Sequence, residues 1–350
     1  MIAEELINNL NGQRQVGYAQ TGDPELGLLR YLPGTWQNSD RFADRGWNMI
    51  ALPFSDTSVA IGDPRDYRVL ANQYNETLLL KEADKGVPKR GVIRDIDANL
   101  EQTIIALDYE QIIRRSCSAD KPKSGKAKER EQVAIHHEPG LWLHILDHHQ
   151  SGVNIARLGT VSHGNSLLAL GTAEEFGENP DIVIPETNLF PFSTATQVPL
   201  DQDPLDRYLE PCSGFVASDN TFFPDELELR NLHGLLQSST PGNIKGGVKY
   251  SVSTAVSTGD IVNIPFIVDQ AVAVQMDATF WIYELEETDV HNQAVMVMQY
   301  LQVVMLDFSD RFNGNGKIRW PHVSLNTLVR TSSSASERQE VMRSTIQSKV

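Results

Sequence analysis

Cysteine is scarce in this sequence, which has only Cys117 and Cys212 in 350 residues. Neither belongs to a CxxC pair, so nothing in the sequence indicates a disulfide framework or a cysteine-based zinc site. We therefore expect a protein of a reducing compartment, the cytoplasm. The first residues agree with this expectation, because they lack the basic start and apolar run of a secretory signal.

Long apolar runs and an excess of positive charge are also missing. No stretch approaches the roughly 18 consecutive apolar residues of a membrane helix. The formal net charge is -16, and such a protein is repelled by nucleic acids and by anionic membrane surfaces. We therefore expect no nucleic-acid partner and no membrane partner, while a homo-oligomer remains possible.

Strand signals fill most of the chain. Short segments rich in β-branched, leucine and aromatic residues alternate with turn residues, and the hydrophobic content of 40% is enough for a sizeable core. The main strand candidates are residues 74–81, 102–115, 132–137, 141–146, 153–161, 166–171, 248–257, 261–274, 278–287, 294–308 and 317–330. Glu138-Pro139-Gly140 is interpreted as a hairpin turn. The pattern predicts an all-β antiparallel fold, either a closed barrel or a sandwich.

The chain is predicted to form one domain over residues 31–330. Residues 1–30 are interpreted as an N-terminal extension and residues 331–350 as a polar tail. Between about 173 and 245 prolines and acidic residues interrupt the strand pattern. We predict a long irregular insertion or lid there, with helical character at residues 225–237.

Histidines are the main candidates for chemistry, since no nucleophile elbow, zinc-protease motif or Walker loop is present. Six of the nine histidines lie within residues 136–163. His163 follows a strand candidate and has the parity of Arg157, while His144 shares a face with Trp142. The sequence leaves open whether His322 points into or out of a barrel. An ordinary structural histidine is the alternative in each case.

An ordered series of segments resembles a known family. Gly34-Thr35-Trp36 forms a Gly-x-Trp opening, and the series continues with residues 46–50, 138–142, 157–171, 280–287, 299–308 and 320–330. It resembles the haem-binding β-barrel proteins related to nitrobindin and the fatty-acid-binding-protein-like family, which are lipocalin-like (calycin) barrels. The resemblance covers about residues 30–172 and 275–330. It implies an antiparallel lipocalin-like β-barrel that encloses a small ligand.

The resemblance also implies a cofactor. In that family a histidine on the last strand ligates haem iron, and the matching position is His322. His163, Arg157 and His144 are then candidates for the opposite side of the haem, with Trp142 and Trp36 as further binding residues. Arg157 or Arg319 can pair with the propionates, because arginine matches carboxylates bidentately. The implied function is haem or gas binding, sensing or peroxidase-like activity.

Three alternatives stay open. The barrel can carry an apolar molecule without haem, such as a lipid, an isoprenoid or a pigment. It can be an isomerase or cyclase for an apolar substrate, with Glu76, Asp108 or Glu110 as acid or base. It can also be an interaction protein, because residues 295–308 are apolar on both faces of a strand.

Overall fold

The structure is a computed structural model of the chain. It describes eight stretches, and the statements below concern these: residues 17–42, 45–53, 67–89, 102–121, 133–146, 152–194, 231–310 and 316–332.

Strands make up most of the described chain. In order they are β1 (Gly17–Tyr18), β2 (Gly34–Gln37), β3 (Gly46–Pro53), β4 (Tyr67–Glu82), β5 (Asp84–Lys85), β6 (Val87–Lys89), β7 (Gln102–Lys121), β8 (Val133–Leu146), β9 (Ile155–Val161), β10 (Asn165–Phe176), β11 (Phe192–Ser193), β12 (Ile244–Ser253), β13 (Asp260–Asn263), β14 (Val272–Thr288), β15 (Ala294–Asp310) and β16 (Lys317–Ser332). The helices are a 3₁₀ helix (Pro24–Tyr31), α1 (His233–Gln237) and α2 (Pro265–Val268).

Ten of these strands close into one antiparallel barrel. Their order around the barrel is β4, β3, β16, β15, β14, β12, β10, β9, β8 and β7, and the pairing of β7 with β4 closes the ring. Closure leaves the ring without a free edge, which is how antiparallel sheets avoid exposed strand edges. The predicted all-β antiparallel barrel is confirmed.

One wall position of the barrel is built from two short strands. Both β2 and β3 pair with β4 on one side and with β16 on the other. They are separated by residues 38–45, where Asn38 bridges the gap. Its Oδ1 accepts a hydrogen bond from the backbone N–H of Glu76, and its Nδ2 donates to Asn326 Oδ1. The wall is therefore continuous in hydrogen bonding but locally open.

The 3₁₀ helix closes one end of the barrel. Leu26, Leu29 and Leu32 are buried in the same cluster as side chains from most of the barrel strands. The Tyr250 hydroxyl donates to the carbonyl of Leu28 at 2.7 Å, and Trp36 Nε1 donates to the carbonyl of Leu32 at 2.8 Å. Part of the predicted N-terminal extension is thus a plug for the barrel.

The described part of the predicted insertion lies against the outer wall. Ile184, Leu189, Leu232 and Leu236 form one cluster with outward side chains of β4, β14, β15 and β16. This cover explains why β15 is apolar on both faces, because its even positions face the barrel interior and its odd positions face the insertion. Residues 195–230 lie outside the described chain, so a lid there remains a prediction.

Two local predictions are wrong. Residues 138–140 are the middle of the continuous strand β8, not a hairpin turn. Position 140 requires glycine, because a Cβ there would lie 2.0 Å from the carbonyl oxygen of Leu158 and 2.6 Å from the ring of Tyr109. The predicted strand 261–274 is instead β13, the helical turn α2 and the start of β14, since Pro265 begins a helix.

No helix among the described residues is long and apolar enough to cross a membrane. Cys212 and the polar tail from residue 333 onward lie outside the described residues.

Candidate functional site

The interior of the barrel is divided along its axis into an apolar end, a polar middle, a layer of partly exposed side chains and a second apolar cluster. Side chains alternate between the two faces of each strand, so the pairing register assigns interior positions. Even-numbered positions face inward in β8, β12, β15 and β16, and odd-numbered positions do so in β9 and β10. The apolar end is the one that the 3₁₀ helix closes.

The polar middle contains a buried carboxyl group on β4. Glu76 Oε2 accepts hydrogen bonds from the Tyr300 hydroxyl at 2.6 Å and from Asn326 Nδ2 at 2.8 Å, and Oε1 accepts one from Gln111 Nε2 at 2.7 Å. The hydroxyl of Tyr74 lies 2.8 Å from that of Tyr300. Burial raises the pKa of Glu76, while the hydrogen bonds oppose that rise.

A second buried carboxyl group belongs to an ion pair on β8 and β9. Arg157 Nη2 donates to Glu138 Oε1 at 2.9 Å, and both side chains are at most 3% exposed. Arg157 Nη1 donates to Gln302 at 2.7 Å and its Nε to the Tyr109 hydroxyl at 3.3 Å. Tyr109 in turn donates to Glu138 Oε1. The pair thus has the additional hydrogen bonds that a buried ion pair needs.

The pKa values of the two carboxyl groups shift in opposite directions because their partners differ. Burial alone would raise the pKa of Glu138, but the charge of Arg157 and hydrogen bonds from His136 and Tyr109 outweigh it and hold the pKa at about 2. Glu76 has neutral hydrogen-bond partners and no such cation within hydrogen-bond reach. A barrel with one carboxyl group shifted up and one shifted down has the arrangement that acid–base sites use.

The layer of partly exposed side chains between the polar middle and the second apolar cluster surrounds a space that we call the chamber. Its lining is defined by side chains that face inward but remain partly exposed: Asn48, Ile50, His136, Val161, Leu167, Ile261, Gln302, Val304 and His322. Interior side chains near the 3₁₀ helix are almost all buried, and Leu306, Phe308, Ile318 and Trp320 form a second buried cluster on the other side of the chamber. The chamber combines apolar lining with a few polar groups, which is typical of small-molecule sites.

His322 faces into the chamber. It lies on β16 with the parity of Ser324 and Asn326, and its Nε2 is 2.5 Å from Nδ2 of Asn48. Asn48 also donates to the hydroxyl of Ser324 at 2.8 Å. Burial within the barrel wall, together with the nearby His136 and His163, lowers the pKa of His322 to about 3. Its imidazole is therefore neutral at physiological pH.

Two further histidines approach His322. The ring centroids of His136, on β8, and His163, in the turn after β9, are 5.7 Å apart. His136 Nε2 lies 3.2 Å from Glu138 Oε2, and the His136 side chain is 21% exposed. Coulombic interactions with both histidines contribute to the lowered pKa of His322. The chamber thus has His136 and His322 in its lining, and the exposed His163 lies beside His136.

The other predicted site residues lie deeper in the barrel or at its plugged end. Arg157 is in the polar middle, with its guanidinium near the rings of Trp142 and Phe280. Trp36 is in the apolar end, and His144 Nδ1 contacts the carbonyl of Glu25 at 2.6 Å under the 3₁₀ helix. His322 and Arg157 therefore face the barrel interior and His163 lies in an exposed turn, whereas Trp36 and His144 contact the plugged end.

Several predicted polar candidates face outward. Asp108 pairs with Lys81 at 3.3 Å and Glu110 contacts His137 at 3.0 Å, all on the outer surface. Asp108 and Glu110 are therefore excluded as acid–base candidates inside the barrel, whereas Glu76 remains a candidate. Arg319 also points outward and is held by Asp307 at 2.7 Å, so it does not serve a ligand inside the barrel.

Sequence reasoning missed the most connected part of the site. His136, Glu138 and Tyr109 were not selected, because Glu138 was placed in a turn and His136 was only one of two adjacent histidines. The sequence signal was the parity of His136, Glu138, Trp142 and His144 along one uninterrupted strand. That signal becomes visible only if residues 138–140 are not interpreted as a turn.

A cavity of about 270 Å³ opens in the wall where β2 and β3 are separated, and it reaches Glu76 of the polar middle. It is lined entirely by polar and charged residues: Gln37, Asn38, Asn75, Glu76, Thr77 and Arg114. Within the described chain, no group of three or more His, Cys, Asp or Glu side chains is arranged to hold a metal ion.

No protein-family model, no curated protein and no solved structure matches the chain.

Proposed function

We propose that the protein binds a small molecule in the chamber and that this molecule is haem, with His322 as the iron ligand. The observation that carries the proposal is His322, a neutral imidazole that faces a solvent-accessible space inside a closed barrel. A neutral imidazole nitrogen is a good ligand for iron.

The residues present fit one axial ligand. The side-chain amide of Asn48 lies next to Nε2 of His322 and fixes the orientation of the ring. Iron would take the place of this amide at Nε2. Partly exposed apolar side chains, including Ile50, Val161, Leu167 and Val304, supply the contacts that a porphyrin face requires. Arg157 is already engaged by Glu138, so it does not supply a charge to a propionate.

Bound haem would supply reversible binding of small gases or activation of peroxide, according to the polarity of its second face. The protein's part is to provide one ligand at His322 and to present His136 and His163 to the remaining space.

An absorption spectrum of the purified protein with hemin tests the proposal. We expect a Soret band that is lost or shifted in His322→Ala and restored when free imidazole is added, because imidazole can fill the space left by the side chain. His144→Ala is the matched control, since it also removes an interior histidine but lies under the 3₁₀ helix. A wild-type spectrum in His322→Ala would remove His322 from this role.

A haem-free carrier is the second candidate, and the apolar part of the chamber lining favours it. An apolar molecule such as a lipid, isoprenoid or pigment would contact these side chains without using His322. Native mass spectrometry of protein purified from its own host distinguishes the two, because it weighs the bound species. An organic ligand that persists in His322→Ala would support the carrier and contradict the haem proposal.

A further inference from the structure

Glu138 connects the buried ion pair to the chamber. One of its oxygens, Oε1, receives hydrogen bonds from Arg157 and Tyr109. The other oxygen, Oε2, contacts only His136 among the hydrogen-bond partners of this carboxyl group, at 3.2 Å. Arg157 is itself fixed by Gln302 on the far side. Glu138 is therefore held rigidly, with one oxygen directed at an imidazole.

The charge of Glu138 decides the tautomer of His136. An ionised carboxylate only accepts hydrogen bonds, so Nε2 of His136 must carry the proton that is shared with Oε2. In the neutral ring the lone pair is then on Nδ1. A carboxylate placed behind an imidazole in this way orients the ring and fixes its tautomer.

The His136 ring is also the accessible end of this chain of contacts. Arg157 and Glu138 are at most 3% exposed, whereas the His136 side chain is 21% exposed and lies beside His163, an exposed residue of the turn after β9. The chain Arg157–Glu138–His136 thus begins in the dry middle of the barrel and ends at solvent-accessible space.

We propose that His136 is the proton acceptor of the chamber, oriented by Glu138 and Arg157 to take a proton from a small molecule bound opposite His322. This role deepens the proposed function and rests on it. The molecule that it serves carries an acidic O–H or C–H hydrogen, as hydrogen peroxide and hydrogen cyanide do. Its proton moves to Nδ1 of His136, and the remaining anion keeps the electron pair of the broken bond.

The ligand-free protein gives the first test, through nitrogen-15 NMR of the imidazole rings at pH 8.5. We expect the Nε2–H tautomer for His136 in the wild type and a change of tautomer or ring environment in Glu138→Gln. A wild-type His136 that carries its proton on Nδ1 would overturn the inference, whether or not haem binds.

Cyanide association with the hemin-loaded protein gives the second test, because hydrogen cyanide must lose its proton to bind ferric iron. We expect His136→Gln to lower the association rate constant by about 100-fold, within the usual range for a lost acid–base group. His137→Gln is the matched control, since His137 is the next residue, points outward and has its own glutamate partner, Glu110.

The outcomes separate the two proposals. Absence of a Soret band would defeat the haem proposal, and the NMR result would still decide the orientation of His136. A normal Soret band with equal cyanide rates in the wild type, His136→Gln and His137→Gln would defeat the role of His136 and leave His322 as the ligand.

Discussion

Buried ionisable side chains set most of the residue-scale properties of this barrel. Glu138 is ionised because Arg157 lies 2.9 Å away, and His322 is neutral because it is enclosed by the wall and faces other histidines. Both groups have a lower pKa in the folded protein than in the unfolded chain. For such groups the unfolded state binds protons first on acidification, so stability is present at neutral pH and is lost as the pH falls.

As the pH falls, the loss of stability that is due to His322 should therefore begin before the loss that is due to Glu138. For His322 the window runs from pH 6.5 down to about 3, and for Glu138 from pH 4.5 down to about 2. Between pH 7 and 5, His322 should account for a loss of about 2 kcal/mol in the free energy of unfolding. Urea denaturation at both pH values measures this loss in the wild type and in His322→Gln, which does not titrate. Equal losses in the two proteins would show that His322 is not enclosed as described.

Glycines at paired positions shape the elements around the polar middle. Gly140 on β8 and Gly159 on β9 are register partners. A Cβ on Gly159 would lie 2.4 Å from Glu138 Oε1 and 2.6 Å from the Tyr109 hydroxyl. The two glycines leave the space in which Tyr109 and Glu138 meet Arg157. The β8–β9 pair thus lacks side chains at Gly140 and Gly159, and the charged cluster occupies the space that they leave.

Gly159→Ala should disturb that cluster. The added methyl group must displace the Glu138 carboxylate or the Tyr109 ring, and overpacking of this kind costs about 1–3 kcal/mol. Chemical denaturation measures the change in unfolding free energy. Gly177→Ala is the control, because nothing lies within 4 Å of a Cβ at that position and its effect should stay within about 0.5 kcal/mol. Equal effects of the two substitutions would mean that the space beside Gly159 is not needed.

Prediction of the strands succeeded where the hydrophobic periodicity is strong. It failed where a residue that is common in turns has another role. The strands at 294–308 and 317–330 were predicted within two residues of the ends of β15 and β16. Pro139 and Gly140 were interpreted as turn residues because that is their usual role. The structure uses Gly140 for a close approach of the Tyr109 ring, and this contact comes from β7, about thirty residues earlier in the chain.

At the scale of the whole molecule, the two ends of the barrel are different. The 3₁₀ helix and its leucines fill one end, and the described part of the insertion covers the outer wall of β14, β15 and β16. Toward the other end, inward side chains of β15 and β16, including Phe308 and Trp320, form a second buried apolar cluster. Partly exposed inward side chains such as Val304 and His322 lie between this cluster and the polar middle.

Filling the chamber should weaken ligand binding without unfolding the barrel. Val304 faces the chamber and is partly exposed, so the larger side chain of Val304→Phe would take up space that a ligand needs. We expect at least a tenfold loss of hemin affinity in a titration followed by absorption. Val303→Phe, one residue away and outward-facing, should bind as the wild type does. Weaker binding in Val303→Phe alone would place the ligand outside the barrel.

The sequence by itself determined the class of fold, because alternation with a period of two and turn residues between strands are local properties of the chain. It also identified His322, His163 and Arg157 as polar groups worth attention. Only the tertiary structure decided which face of each strand is inside, since the closing pair of β4 and β7 and the cover on β15 depend on segments far apart in sequence. The same long-range packing brings His136 and Glu138 to Arg157, and it moves Trp36 and His144 to the plugged end, away from the chamber.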